Sequence, residues 1–258
     1  MFKAIAIAER DLKSWLNTFS FYLLAVLFLG LTGYFFWSGL SYFSYVSFQV
    51  ASNPSLEVKG LNLVDGVLSS FIANMTLLLL LLIPIFSMRS FSEERRQKTL
   101  ELLFTYPVSD FQIIFGKFLA LMGVLTLLVL PTVAYFFLAE VVGAKFELAS
   151  LLAGYGGLLL VGASFIALGI FVSSLTEHQA VSAGVGFTIL LFFWIVGWLS
   201  EWTSPSLGTF FRELSLTEHL KDLTRGIIDT KDVSYFVLFI LFFLLATLYS
   251  LEVRSWKR

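Results

Sequence analysis

The chain has 258 residues, 58% of them hydrophobic and only 14% charged, against roughly 25% charged in soluble domains, and its mean hydropathy is +0.87. A formal net charge of −1 gives no basis for binding nucleic acid, and the absence of cysteine removes disulfides, thiolate metal sites and cysteine catalysis together. What remains is one all-α integral membrane domain over 1–258. Backbone polar groups in lipid must be satisfied within the segment, and the apolar runs lack the alternation of barrel strands.

Residues 2–18 carry Ile5, Ala8, Leu12, Trp15 and Leu16, continued by Phe19, on one side and Lys3, Arg10, Lys13 and Asn17 on the other. This predicts an N-terminal amphipathic helix lying in the interface; a charged leader to the first span is the alternative. The first span is expected near 19–38, with Ser38 to Val50 able to extend the same helix beyond the bilayer until Asn53-Pro54 ends it. Charge-free runs place the others near 66–88, 118–139, 148–173, 180–200 and 233–251, each near the ~20 residues that cross a hydrocarbon core.

Pro84 and Pro131 are expected to bend or loosen the second and third spans, as hinges or as ordinary prolines of membrane helices. The fourth span holds Gly154, Gly156, Gly157, Gly162 and Gly169, and the fifth begins Ser182-Ala-Gly-Val-Gly186. Small residues let backbones approach, so these two spans are expected to make the tight contacts of the bundle, a substrate-contact role being the other reading. Before the sixth span, Ser204-Pro205 and the capping box Ser215-Leu-Thr-Glu218 start two short amphipathic helices. They predict a re-entrant or surface-lying hairpin on the outer side. His178, in an inner turn, and His219, in this outer loop, are both expected at the surface.

Lys3, Arg10, Lys13, Arg89, Arg95, Arg96, Lys98, Lys117, Arg254, Lys257 and Arg258 outnumber Lys59, Lys145, Arg212, Lys221, Arg225 and Lys231. The first set then lies inside, with both termini in the cytoplasm. The densest charge runs from Arg89 to Lys117, between the second and third spans. Ser90-Phe-Ser-Glu93 and Ser109-Asp-Phe-Gln112 both fit capping boxes, with Pro107 separating two helical starts. Glu94 and Lys98 stand in the favourable i, i+4 order. Leu100, Leu103 and Phe104 fall on one side, Leu102 and Tyr106 on the other. Such a helix suits a position between the membrane and a second protein, whereas a loop that only sets topology needs no such order.

Intramembrane catalysis needs titratable groups within the spans, and no Asp, Glu, Lys or Arg lies deep in any of the six. Asp65 and Glu140 sit only at outer ends, which argues against proton- or sodium-coupled transport. Gly116-Lys117 is followed by Phe118, and Phe111 occupies the position of the first P-loop glycine, so the chain has no phosphate-binding loop of its own.

The segment also resembles the inner-loop signature of ABC exporter permeases of the second type, in particular the gliding-motility and nitrous-oxide-reductase-maturation permeases. The likeness runs through Pro84, Met88-Arg89, Glu93-Glu94-Arg95-Arg96, Thr99-Leu100-Glu101-Leu102-Leu103, Pro107-Val-Ser-Asp110 and Gly116-Lys117. It continues in Ser173-Ser-Leu-Thr-Glu177, Leu214-Ser-Leu-Thr-Glu-His219 and Arg225-Gly-Ile-Ile-Asp229. The resemblance implies a six-helix permease of the cell inner membrane with a cytoplasmic coupling helix. It implies as partners a separate ABC ATP-binding subunit, which binds ATP and Mg, and a second permease subunit, and it leaves room for an accessory subunit on the outer side. Glu93, Glu94, Arg95, Arg96, Thr99, Leu100, Glu101, Leu102, Leu103, Pro107 and Glu177 are then the expected contacts with the ATPase. A non-transporting membrane anchor that recruits a cytoplasmic partner is the competing reading.

Overall fold

The computed structural model describes residues 2–52, 63–98, 109–144 and 146–255, and every regular element among them is helical. We number the α-helices α1 (Phe2–Leu16), α2 (Phe19–Ser52), α3 (Ser69–Ser87), α4 (Arg89–Arg96), α5 (Asp110–Val129), α6 (Ala134–Val141), α7 (Leu148–Leu175), α8 (Gln179–Ile195), α9 (Pro205–Leu214), α10 (Leu216–Thr224) and α11 (Thr230–Ser255). Among the described residues six stretches are long and apolar enough to cross a membrane: Phe19–Ser52, Gly66–Arg96, Asp110–Val141, Leu148–Leu175, Gln179–Ser200 and Thr230–Val253. The expected stop at Asn53-Pro54 lies outside the described residues. At 34 residues, α2 is about 51 Å long, against a hydrocarbon core of about 30 Å, so it projects well past the bilayer.

The axis of the bundle is α7. Every residue from Val161 to Ile170 is buried, the pattern of a helix apolar on all sides and enclosed by others. It packs against α3, α5, α10 and α11, and glycines mark the contacts. A Cβ at Gly154 would enter Ile72 of α3, at Gly157 Leu223 of α10, at Gly162 Leu125 of α5 and at Gly169 Ser87 of α3. The small residues of the fourth span therefore do what their spacing predicts. Those of the fifth do so only in part: Gly186 is buried against α3, where a Cβ would meet Pro84 at an ordinary 3.9 Å, and Gly184 faces open space. Ser182 and Gly186 are buried in α8, while Gly184 faces out.

The two prolines behave differently. Leu130–Val133 winds as a 3₁₀ segment around Pro131, where Thr132 Oγ1 shares a 2.8 Å hydrogen bond with Tyr155 of α7. Pro84 stays inside α3 with no interruption of the helix, which ends at Ser87 before Met88.

On the side opposite α4, α9 and α10 form the two short helices read from the sequence. Leu216, Leu220 and Leu223 bury one face of α10 against α7, while Ile227 stays exposed. Ser215 is the N-cap residue, but its hydroxyl turns to Thr217 Oγ1 at 2.9 Å rather than to the helix backbone. His219 corrects the expectation of a surface histidine, being only 5% exposed. Its Nε2 faces the Glu213 carbonyl at 3.0 Å and its Nδ1 the Asp232 carboxylate at 2.7 Å. The ring stacks on Tyr235 with centroids 4.0 Å apart, so His219 ties the hairpin to the start of α11. His178 is exposed, as read.

Candidate functional site: the junction of α3 and α4

The charged block begins where α3 ends. α4 starts at Arg89 after Met88, whose backbone is helical and makes no side-chain cap. The Ser90 capping box expected here does not form, because the first-turn donors are met from another helix. Ser173, near the end of α7, accepts from the N–H groups of Phe91 at 3.0 Å and Ser92 at 3.1 Å, and its own hydroxyl donates to Met88 O at 2.9 Å. Ser92 Oγ donates in return to the Ser173 carbonyl at 3.1 Å. Both serines are fully buried. First-turn N–H groups have no partner within their own helix, so a hydroxyl from α7 serves as the cap of α4 and fixes the two together.

Arg95 repeats the arrangement in the opposite sense. Its Nη1 donates to the Ser174 carbonyl at 2.7 Å, a cation placed on the negative end of α7. Its Nη2 lies 4.0 Å from Glu177, whose side chain is 64% exposed. One turn of α4 therefore both receives from and donates to the last turn of α7.

The other side of α4 is held by charge. Glu94 accepts from Lys117 of α5 at 2.7 Å and from Arg10 of α1 at 3.5 Å, and Lys117 also reaches Asp11 at 3.5 Å. The Lys117 side chain is only 4% exposed, and its ammonium sits 5.0 Å from the centre of the Phe91 ring. A buried cation is tolerated only when paired and hydrogen-bonded, which this set of four provides. Glu94 thus turns to Lys117 rather than to its helical neighbour Lys98. Lys98 itself takes the left-handed backbone, with φ 56°, and ends α4.

α1 reaches the site because α5 accepts it closely. A Cβ at Gly116 would fall 2.8 Å from Ala4 O and 2.9 Å from Ile7, and one at Gly123 would meet Leu12 at 3.3 Å. The face of α1 turned to the bundle is Ala4, Ile7, Leu12 and Trp15, whereas Ile5 and Phe19 of the expected apolar face are exposed. The register is shifted because contact with α5, not lipid, selects the stripe. The second capping box forms as read: Ser109 accepts from Gln112 N at 3.3 Å and Gln112 Oε1 accepts from Ser109 N at 3.3 Å.

Among the expected contact residues, Glu94 and Arg95 are engaged within the chain, Arg96 is exposed, Glu93 is half-buried and Glu177 is exposed. Thr99, Leu100, Glu101, Leu102, Leu103 and Pro107, with Phe104 and Tyr106, lie outside the described residues. Lys117, Ser173, Arg10 and Asp11 were not among the expected contact residues. Ser173 and Lys117 stand within the quoted motifs, but only folding shows that they meet α4.

The family model of ABC-2 family transporter proteins matches residues 5–253, from α1 through α11. The chain belongs to the ABC-2 transporter family. No curated protein matches it. As a member of that family it is a multi-pass membrane protein, a transport component and not itself a catalyst, and membership implies association with an ABC ATP-binding subunit. Lys117 pairs with Glu94 and Asp11 inside the fold, and Gly116-Lys117 lies within helix α5.

Proposed function

We propose that this ABC-2 family chain is the permease subunit of an ATP-driven exporter of the cell inner membrane, of the gliding-motility or nitrous-oxide-reductase-maturation kind, with both termini cytoplasmic. In this reading α4 and the segment after it act as the coupling helix. ATP and Mg bind to a separate ATPase subunit, whose movement presses on Glu93, Arg96, Thr99, Leu100, Glu101, Leu102, Leu103, Pro107 and Glu177. A second permease, the same or similar, completes the membrane domain, and an accessory subunit on the outer side is compatible with the projecting end of α2. The α1 helix lies at the inner interface, and α9 with α10 forms the re-entrant outer hairpin.

The observation that carries this reading is the double attachment of α4. A loop that merely sets topology needs no buried bond to the central helix, whereas α4 is fixed to the end of α7 through Ser173 and Arg95 and to α5 and α1 through Glu94. Displacing α4 therefore displaces the axis of the bundle. Glu94 and Arg95 serve this internal linkage, which leaves Glu93, Arg96, Glu101 and Glu177 as the charged groups for the partner.

The test is reconstitution with the ATP-binding subunit. Arg96→Glu with Glu101→Lys is expected to abolish co-purification of the ATPase or to uncouple its turnover from transport. Unchanged co-purification together with unchanged coupled activity overturns the proposal. Intact recruitment in a chain that never moves cargo favours the anchor reading.

A further inference from the structure

Beside this junction, α1, α4 and α5 line a half-open cavity of about 370 Å³ with mixed polar and apolar walls, within the range of roughly 300–1,000 Å³ for small-ligand sites. Its charged walls divide into two sets. Lys117, Arg10, Asp11 and Glu94 neutralise one another. Arg89 and Glu93 take no part in that set. The Arg89 guanidinium lies over the Trp15 ring, 5.3 Å from its centroid, and makes no ion pair among the described residues. Among the described residues the Glu93 carboxylate accepts only the neutral Gln97 amide, at 3.2 Å. The two are four residues apart on α4 and so share a face. One cation and one anion are left facing the same space.

The depth of the cavity identifies what enters it. Arg89 is the first charge after the apolar run 66–88, and Lys117 the last before 118–139. The cavity therefore lies where hydrocarbon gives way to lipid headgroups, the level that Trp and Arg side chains favour. A guanidinium offers a planar fork of donors that matches phosphate oxygens, and a carboxylate matches an ammonium. We propose that the cavity binds the headgroup of a zwitterionic ethanolamine phospholipid, its phosphate on Arg89 and its ammonium on Glu93. The ammonium stands two carbons from the ester oxygen, comparable with the helical turn of about 5.4 Å between the two side chains. A choline headgroup brings no N–H to Glu93, and a glycerol headgroup leaves Glu93 facing a net negative lipid. The balanced wall thus selects against both. This inference does not rest on ATP coupling.

The full-length chain, purified in detergent and offered equal amounts of phosphatidylethanolamine, phosphatidylcholine and phosphatidylglycerol, is examined by native mass spectrometry. One phosphatidylethanolamine is expected to be retained with a preference of about tenfold, the loss of a charge-assisted contact accounting for the difference. Arg89→Gln loses the retention, Arg89→Lys keeps part of it with the fold undisturbed, and Glu93→Gln removes the preference over phosphatidylcholine. Equal retention of the three lipids, preference for phosphatidylglycerol, or binding unchanged in both Arg89→Gln and Glu93→Gln overturns the proposal. Displacement of the lipid by an equal concentration of inorganic phosphate or free phosphoethanolamine identifies a soluble phosphate as the ligand and overturns the lipid assignment.

Discussion

Replacing Ser173 by alanine removes one oxygen and leaves three backbone groups without it: the buried N–H groups of Phe91 and Ser92 and the part-buried carbonyl of Met88. A buried group without its partner costs roughly 1–3 kcal/mol, whereas hydrogen bonds inside membrane bundles average about 0.6 kcal/mol when measured. Three groups at the lower figure give about 2 kcal/mol, which raises the local opening of α4 by about 30-fold. Hydrogen exchange of peptides spanning residues 86–98 reads that opening directly. Ser164→Ala is the control: it is equally buried, but its hydroxyl donates to Leu160 of its own helix at 3.0 Å, so α4 exchange should not change. Exchange in Ser173→Ala within about threefold of the parent, less than 1 kcal/mol, refutes the view that α7 caps α4.

A double-mutant cycle with Glu94→Gln and Lys117→Met, read by unfolding in mixed detergent, should give a coupling of about 1–3 kcal/mol for a close, mostly buried pair; additive effects would show that Arg10 and Asp11 replace the lost contact fully. Gly169→Ala forces a methyl into Ser87 and is expected to destabilise the bundle by about 1–3 kcal/mol, while Gly184→Ala, facing open space, should be neutral or stabilise by up to about 1 kcal/mol. Equal thermal stabilities of these two variants would contradict the packing described. On the opposite side, the Lys231 ammonium donates to Glu213 at 2.6 Å and holds that carboxyl below its ordinary value of 4.5. A depressed carboxyl contributes stability above pH 4.5 and loses it as pH falls through the lower folded value. Because the pair is exposed, solvent screens it and the contribution is small. Lys231→Met should reduce the acid-side loss by that amount, and an unchanged acid profile refutes the pairing.

The helical class and the course of the six spans were legible because lipid imposes one simple rule on composition and length. The packing of α7 was legible too, since glycines at Gly154, Gly157, Gly162 and Gly169 have few other uses in an apolar helix. The same reasoning failed at Gly184, which faces open space, because small residues permit close approach but do not state which helix comes near. Ser109 could be read as a cap because its partner Gln112 is local. Ser90 could not be excluded as one, since the hydroxyl that replaces it, Ser173, is 81 residues from Ser92 in sequence. Local signals carry local bonds; the cap supplied by α7 and the pairing of Lys117 with Glu94 arise only when distant segments fold together. His219 shows the same limit, as its partner Asp232 lies in another helix.

The two attachments of α4 differ in how they tolerate movement. Hydrogen bonds weaken steeply with small changes of angle and distance, so the bonds of Ser173 to Phe91 and Ser92 admit rotation about that point but little separation. Charge pairs decline only as the inverse of distance, and Glu94, Lys117, Arg10 and Asp11 can exchange partners while keeping the cluster neutral. A force on α4 therefore turns it about its cap on α7, with the charged side sliding past α5 and α1. Salt separates the two components. The Arg10 side chain is 55% exposed and its share of the cluster is screened between about 0.05 and 0.5 M salt, whereas the buried serines are not. Exchange at Phe91 and Ser92 should be independent of salt over that range while the contact of α1 with Glu94, followed by a spin-label distance from Lys13 to Arg96, loosens. A salt-dependent opening at Phe91 and Ser92 would mean that the charge cluster, and not Ser173, holds α4 in place.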